Sequence, residues 1–263
     1  MATNTAPILE QILELRRAAI DELKQGEAPA AITAALATAP PIRDFRAALS
    51  GPGVALIAEC KERSPSGGLL QSNYDPMELA RRYAASGAAA ISVLTEPEFF
   101  GGSLLHLKEV RAAVDRPVLC KDFVIDPIQV MAARAAGADA VLLIVAILED
   151  EQLKGLREAI AGVGMAAVVE VHDEPELERA LSAGAQVIGI NNRDLTRMTT
   201  DKATTALLRP LIPKGRTVIS ESGIHSREDI EELARLDIDA ALVGEALLRA
   251  TDLDAKVREL SGR

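Results

Sequence analysis

From residue 54 onward the chain alternates short apolar runs with longer segments of mixed character. The runs cover residues 54–58, 89–94, 117–120, 139–146, 166–171, 187–190, 216–220 and 239–243. Each has the length of a strand and is bounded by turn residues, the pattern of a strand buried on both faces. Between them, residues 76–86, 103–114, 127–136, 150–161, 174–183, 201–211, 226–236 and 245–260 place apolar side chains at helical spacing. Eight strands, each followed by a helix, predict a parallel sheet covered by those helices.

Helix starts support this phase. Asp75-Pro76-Met77-Glu78, Asp126-Pro127-Ile128-Gln129 and Asp173-Glu174-Pro175-Glu176 each set an acidic cap before a Pro in the first turn, with Glu or Gln at the third helical position. All three are expected to be capping boxes. A repeat then favours a closed barrel. Ser86-Gly87-Ala88-Ala89-Ala90, Ala136-Gly137-Ala138-Asp139-Ala140 and Ala183-Gly184-Ala185-Gln186 are the same helix-to-strand junction, and Leu236-Asp237-Ile238-Asp239-Ala240 is a degenerate copy. Their spacing of about two β/α units suits a barrel built from quarters. The alternative, an open doubly wound sheet, is expected to show Gly-x-Gly-x-x-Gly after its first strand, and none follows here.

The first 50 residues differ. Ile8, Ile12, Leu15, Ala19 and Leu23 recur at helical spacing, so residues 7–25 form an amphipathic helix; a second helix covers 29–38, ends at Pro40-Pro41, and is followed by a turn at 42–49. These elements must pack over the first strand or cap one end, as a stabilising extension. The expected organisation is one domain, residues 1–263: a helical extension over 1–50, then eight β/α units over 51–263. That is a common size for a (β/α)8 TIM barrel.

Composition narrows the function. A net charge of -10 lacks the basic footprint of a nucleic-acid binder. No apolar run reaches membrane-spanning length and no basic start precedes an apolar leader, so the expectation is a cytoplasmic protein with no membrane partner. Cys60 and Cys120 with three scattered His do not form metal-ligand spacings, and both thiols are expected to be reduced packing groups. His106, His172 and His225 are expected to be surface or capping residues.

In a barrel the loops after the strands share one rim, where active sites are built. Read in order, that rim holds Glu59 and Lys61; Thr95, Glu96, Phe99 and Phe100; Lys121, Asp122 and Phe123; an apolar end at 144–148; Glu170; Asn191 and Arg193; Glu221, Ser222 and Gly223; and Gly244. Lysines and carboxylates converging in a partly dry cup shift one another's pKa, as acid and base roles at neutral pH require, and a Schiff-base lysine is also open. Ser64, Ser66, Ser222, Gly223 and Gly244 with Lys61 make a cradle for an anion, with Glu245 expected to point outward or to cap its helix. Three of the four Phe lie on the rim, as a flat aromatic substrate or a hydrophobic lid would each require.

Ile57-Ala58-Glu59-x-Lys61-x-x-Ser64-Pro65-Ser66, Ile91-Ser92-Val93-Leu94-Thr95-Glu96, Lys121-Asp122-Phe123, Val169-Glu170-Val171-His172, Ile190-Asn191-Asn192-Arg193-Asp194-Leu195 and Ser220-Glu221-Ser222-Gly223-Ile224 resemble the indole-3-glycerol phosphate synthase family over the whole chain. The resemblance implies ring closure of 1-(2-carboxyphenylamino)-1-deoxyribulose 5-phosphate with loss of carbon dioxide and water, without cofactor or metal. It implies Lys121 as general acid, Glu170 as acid/base for the dehydration, and Lys61, oriented by Glu59, as a substrate-binding group assisting proton transfer. The two lysines could exchange steps. Asn191, Arg193 and Glu221 would hold hydroxyls or carboxylate, Ser64, Ser222, Gly223 and Gly244 the anionic end, and Phe100 and Phe123 the ring. The partner is a small phosphorylated aromatic molecule, and the assembly a monomer or weak oligomer. Cys60, Glu62, Gly67, Cys120 and Met198 depart from residues common in the family. The rivals are another phosphate-binding barrel, such as phosphoribosylanthranilate isomerase, and a catalytically silent scaffold.

Overall fold

The computed structural model describes residues 8–194 and 199–262. Pro7, expected to start the first helix, Leu195 of the fifth motif, and Met198 lie outside the described residues. Eight parallel strands close into a barrel: β1 (Ala55–Cys60), β2 (Ala90–Leu94), β3 (Val118–Lys121), β4 (Ala140–Ile144), β5 (Ala166–Val171), β6 (Val187–Asn191), β7 (Thr217–Glu221) and β8 (Ala240–Val243). Each pairs with the next, and β8 returns to β1 with Ala55 opposite Ala240 and Ala58 opposite Val243. The helices are α1 (Ile8–Leu23), α2 (Ala28–Ala37), α3 (Phe45–Leu49), α4 (Pro76–Ser86), α5 (Pro97–Phe100), α6 (Leu104–Ala113), α7 (Pro127–Ala136), α8 (Asp150–Gly162), α9 (Glu174–Ser182), α10 (Ala203–Leu208), α11 (Arg227–Arg235), α12 (Glu245–Leu248) and α13 (Leu253–Ser261).

Period-two alternation divides the core into two shells. Leu56, Ala58, Cys60, Val169, Val171, Ile188 and Ile190 face the helices; Ile57, Leu119, Leu142, Val168, Val187, Ile219 and Leu242 fill the barrel interior. The same alternation sends the next residue of the inner series toward the mouth. Ile57 is followed by Glu59, Leu119 by Lys121, Val168 by Glu170, Val187 by Gly189 and Asn191, and Ile219 by Glu221. Hydrophobic packing below therefore decides where the charged groups point.

The extension closes both ends. At the bottom, Asp44 caps α3 by accepting from the Ala47 N–H at 2.9 Å, and Phe45 and Leu49, each 1% exposed, seal the inner shell. At the top, Arg16 of α1 pairs with Asp122, just after β3, at 3.2 Å, and Lys24 pairs with Asp126 at 2.5 Å. The extension thus reaches the loop that follows Lys121 rather than only covering a strand.

Several expectations are corrected. β1 runs to Cys60, so Glu59 lies within the strand, while β4 stops at Ile144 and turns through a short 3-10 helix, Val145–Ile147. The expected helix at 201–211 holds one short α-helix and a 3-10 turn, and that at 245–260 is broken between α12 and α13. The serine-glycine loop after β1 contains a small antiparallel pairing of Arg63–Ser64 with Gly68–Leu69. Only the Asp126–Gln129 site among the three expected closes both halves of a capping box. Asp75 and Asp173 each accept a helix amide, but Glu176 turns back to His172 instead of its cap.

Candidate active site

The inner series ends in a cavity of about 360 Å³ at the C-terminal mouth, lined by Glu59, Lys61, Phe100, Lys121, Asn191, Arg193, Glu221, Ser222, Gly223 and Gly244, with Lys202 and Glu245 at its edge. Ten expected residues are therefore brought together. Glu170, 2% exposed, lies behind Lys121. Phe123 is buried against Phe100, ring centres 6.1 Å apart, so the two phenyl groups form one apolar wall. Ser64 stands outside the lining, and its hydroxyl accepts from the Gly67 N–H at 3.0 Å. Ser64 was expected at the anionic end; its oxygen closes the β1 loop by accepting the Gly67 N–H, which leaves its own O–H to donate.

Lys121 is the centre of the charged cluster. Its Nζ donates to Glu221 Oε2 at 2.5 Å and lies 3.7 Å from Glu170 Oε2. Burial would strip its proton, but Glu221, Glu170 and Glu59 outweigh that and hold it above the usual lysine range, so it stands as an ammonium. Lys61 donates to Glu59 at the end of β1. Burial opposes ionisation of Glu59, and Lys61 with Lys121 overcomes it, leaving that carboxyl below its ordinary value. The two remaining carboxyls diverge. Burial pushes Glu221 up, Lys121 pulls the other way and Glu170 adds to the rise. For Glu170 burial is outweighed by Lys121 and then by His172, and it is held well below the carboxylate range. Two buried carboxyls with opposite shifts around one ammonium are what separate acid and base roles need.

Missing side chains make room for this cluster. A Cβ on Gly189 would lie 2.5 Å from Glu221 Oε1, and one on Gly244 would collide with Glu59 Oε1. Glu221 Oε1 is buried with no hydrogen-bond partner among the described residues. Gly189 is not among the residues expected at the site, although a glycine inside an apolar strand signals close approach.

At the mouth, Ser222 and Gly223 follow β7 in left-handed conformations, φ 67° and 78°. For Ser222 that is unusual, and strain of this kind gathers at ligand-binding turns. Arg193 donates to Ser66 Oγ at 3.0 Å, tying the loop after β6 to the loop after β1. Glu245 points to this network, not away: it lies 3.8 Å from Arg193 and accepts from Arg249 at 2.8 Å. Two other rim residues are structural. Glu96 accepts from the N–H groups of Glu98, Phe99 and Phe100, capping α5 and fixing Phe100, and Asp122 accepts from Thr95, Arg16 and the Phe123 N–H. Cys60 and Cys120 are free and buried. His106 packs edge-on against Tyr74, and the His225 N–H donates to Asp229. His172, expected to be peripheral, touches Glu170: Nε2 lies 3.4 Å from Glu170 Oε1.

A closed barrel that gathers two lysines and three carboxylates at the C-terminal ends of its strands is a (β/α)8-barrel enzyme. The family model described as indole-3-glycerol phosphate synthase matches residues 9–260. A relative from Roseiflexus sp. (strain RS-1) named indole-3-glycerol phosphate synthase is 51% identical, over 97% of this chain and 98% of its own. One of the same name from Nocardioides sp. (strain ATCC BAA-499 / JS614) is 47% identical over 97% and 98%. The barrel also matches the structure of 3-hexulose-6-phosphate synthase from Salmonella typhimurium, with a TM-score of 0.63 at 17% identity, over 80% of this chain and 97% of that one; that likeness concerns the fold. The chain belongs to the indole-3-glycerol phosphate synthase family of decarboxylating lyases in tryptophan biosynthesis. Among the described residues, no helix is long and apolar enough to cross a membrane.

Proposed function

We propose that the chain converts 1-(2-carboxyphenylamino)-1-deoxyribulose 5-phosphate to indole-3-glycerol phosphate through the residues gathered at the barrel mouth. The observation that carries this reading is Lys121, held as an ammonium between Glu221 and Glu170 and facing the cavity beside the Phe100–Phe123 wall. The aromatic ring lies along that wall. Its carboxyl-bearing carbon attacks the ribulose carbonyl, and Lys121 delivers a proton to the carbonyl oxygen as the carbon–carbon bond forms. Loss of carbon dioxide returns the electron pair to the ring.

Dehydration then removes the new hydroxyl as water, with a proton lost from the methylene carbon between it and the ring nitrogen, which forms the second double bond of the five-membered ring. Glu170 and Lys61 are the groups for these transfers, Glu59 holding Lys61 in place. Asn191, Arg193 and Glu221 bind hydroxyls or carboxylate. Ser64, Ser222, Gly223 and Gly244 meet the phosphate, Ser64 through its O–H while its oxygen accepts the Gly67 N–H and holds the turn that brings Ser66 toward Arg193. Local donors serve a dianion here despite the acidic surface. Residues 1–50 and 51–263 work as one domain in this reading, as a cytoplasmic monomer or weak oligomer, which sedimentation of the purified protein tests.

Purified protein given the authentic substrate is expected to produce the fluorescent indole product. A folded protein that yields none refutes the reading. Lys121→Ala is expected to lower kcat by at least about 10²-fold, the scale of a lost general acid, and turnover within twofold of the parent removes Lys121 from that role.

A further inference from the structure

His172 has no part in the reaction as described above, yet its surroundings are specific. It follows Glu170 by two residues at the end of β5, so both side chains leave the strand in the same direction. Its Nδ1 lies 2.9 Å from Glu176 Oε2, and the same oxygen accepts the His172 backbone N–H at 2.8 Å. Ring and backbone are thus clamped to one carboxylate in the first turn of α9. The other ring nitrogen lies 3.4 Å from Glu170 Oε1, on the side of Glu170 opposite Lys121, and has no hydrogen-bond partner among the described residues. Burial would lower the pKa of the imidazole, but Glu170 and Glu176 outweigh it and raise it to about 10.

Charges therefore alternate along a line: Glu176, His172, Glu170, Lys121, Glu221. Lys121 sits closer to Glu221, at 2.5 Å, than to Glu170, at 3.7 Å. Glu170 thus depends on a second cation, and His172 is the one placed to supply it. We propose that His172, clamped as an imidazolium by Glu176, is a positioning residue that keeps Glu170 ionised and turned toward Lys121, so that Glu170 enters the reaction as a proton acceptor. This rests on the assignment of Glu170 to proton transfer and settles which direction it works in first. The other groups facing His172 belong to a neighbouring cavity of about 500 Å³, lined by Asp173, Asp194, Asp201, Asn191 and Asn192. His172 does not line the cavity at the mouth, and its contact with the charged cluster runs through Glu170.

The test uses His172→Gln, which retains a side-chain donor and removes the charge, together with Glu170→Gln and the double variant. Loss of a cation next to a carboxylate raises that carboxylate's pKa, by about 1–3 units at such distances. The acidic limb of the kcat profile is therefore expected to move upward by at least about one pH unit; at neutral pH, where Glu170 stays ionised, kcat is expected to fall about tenfold from its lost orientation toward Lys121, with KM within twofold. In the Glu170→Gln background the same change is expected to cost nothing further, because His172 acts through Glu170. An unmoved limb in His172→Gln, with Glu170→Gln inactive, overturns the role of His172 alone. Full turnover in Glu170→Gln overturns the reading of Glu170 beneath it. If His172→Gln fails to fold, the ¹⁵N imidazole signals of the parent protein at pH 8.5 decide: an imidazolium supports the proposal and a neutral ring refutes it.

Discussion

Gly189→Ala adds one methyl group to the inner wall of β6, outside the lining of the cavity at the mouth. The new Cβ would lie 2.5 Å from Glu221 Oε1 and 3.4 Å from Val168 Cγ1. Carbon and oxygen need about 3.5 Å, so the carboxyl must retreat by about 1 Å. It cannot simply swing away: Glu221 is 1% exposed, and its other oxygen holds Lys121 at 2.5 Å. Either the Lys121–Glu221 contact stretches or Lys121 follows and leaves its place at the cavity. Overpacking of this kind costs about 1–3 kcal/mol of stability, and a displacement of about 1 Å in catalytic geometry costs about 10²-fold in rate. Steady-state formation of the indole product and urea unfolding measure the two effects. Shortening the colliding side chain, Gly189→Ala with Glu221→Asp, is expected to recover much of the stability and little of the rate. Parent-like kcat in Gly189→Ala would mean that the packing of Glu221 is not what holds Lys121 in position.

Phe45→Ala is expected to lose about 3–5 kcal/mol of stability with kcat unchanged, because the ring seals the bottom of the barrel; a calorimetric melting scan beside the turnover assay checks both. Arg16→Ala leaves Asp122 with Thr95 and the Phe123 N–H. Since both partners of that pair are largely buried, a loss of about 3 kcal/mol is expected, with faster hydrogen exchange at the Phe123 amide and a raised KM. His172 has a folded-state pKa of about 10, against about 6.5 unfolded. Its stabilisation is full below the lower value and lost as pH rises through the upper one. The stability difference between the parent and His172→Gln in urea should therefore be largest near pH 6 and nearly gone at pH 10.

The strand ends were legible because alternation along a buried strand is strict. Once Ile57, Leu119, Val168 and Ile219 are assigned inward, Glu59, Lys121, Glu170 and Glu221 must emerge at the same mouth. Helix starts were legible for the same kind of local reason, although a capping box requires a side chain to turn back, and Glu176 turns to His172 instead. The residues whose importance was hidden act through partners that spacing does not name. His172 reads as a lone histidine until α9 carries Glu176 under its ring. Glu96 reads as one more rim carboxylate, although Pro97 directly after it marks a helix start, which is the use the fold makes of it. Asp122 likewise lies between Lys121 and Phe123, but faces Arg16, more than a hundred residues earlier in the chain.

The aromatic and aliphatic cork formed by Phe45 and Leu49 has a consequence for traffic. With the far end of the barrel stoppered, the entrance is also the exit. In the proposed reaction the indole product forms around Lys121 with its phosphate toward the loops after β7 and β8, and must depart before a fresh substrate is seated. Turnover is thus a strict queue through one doorway.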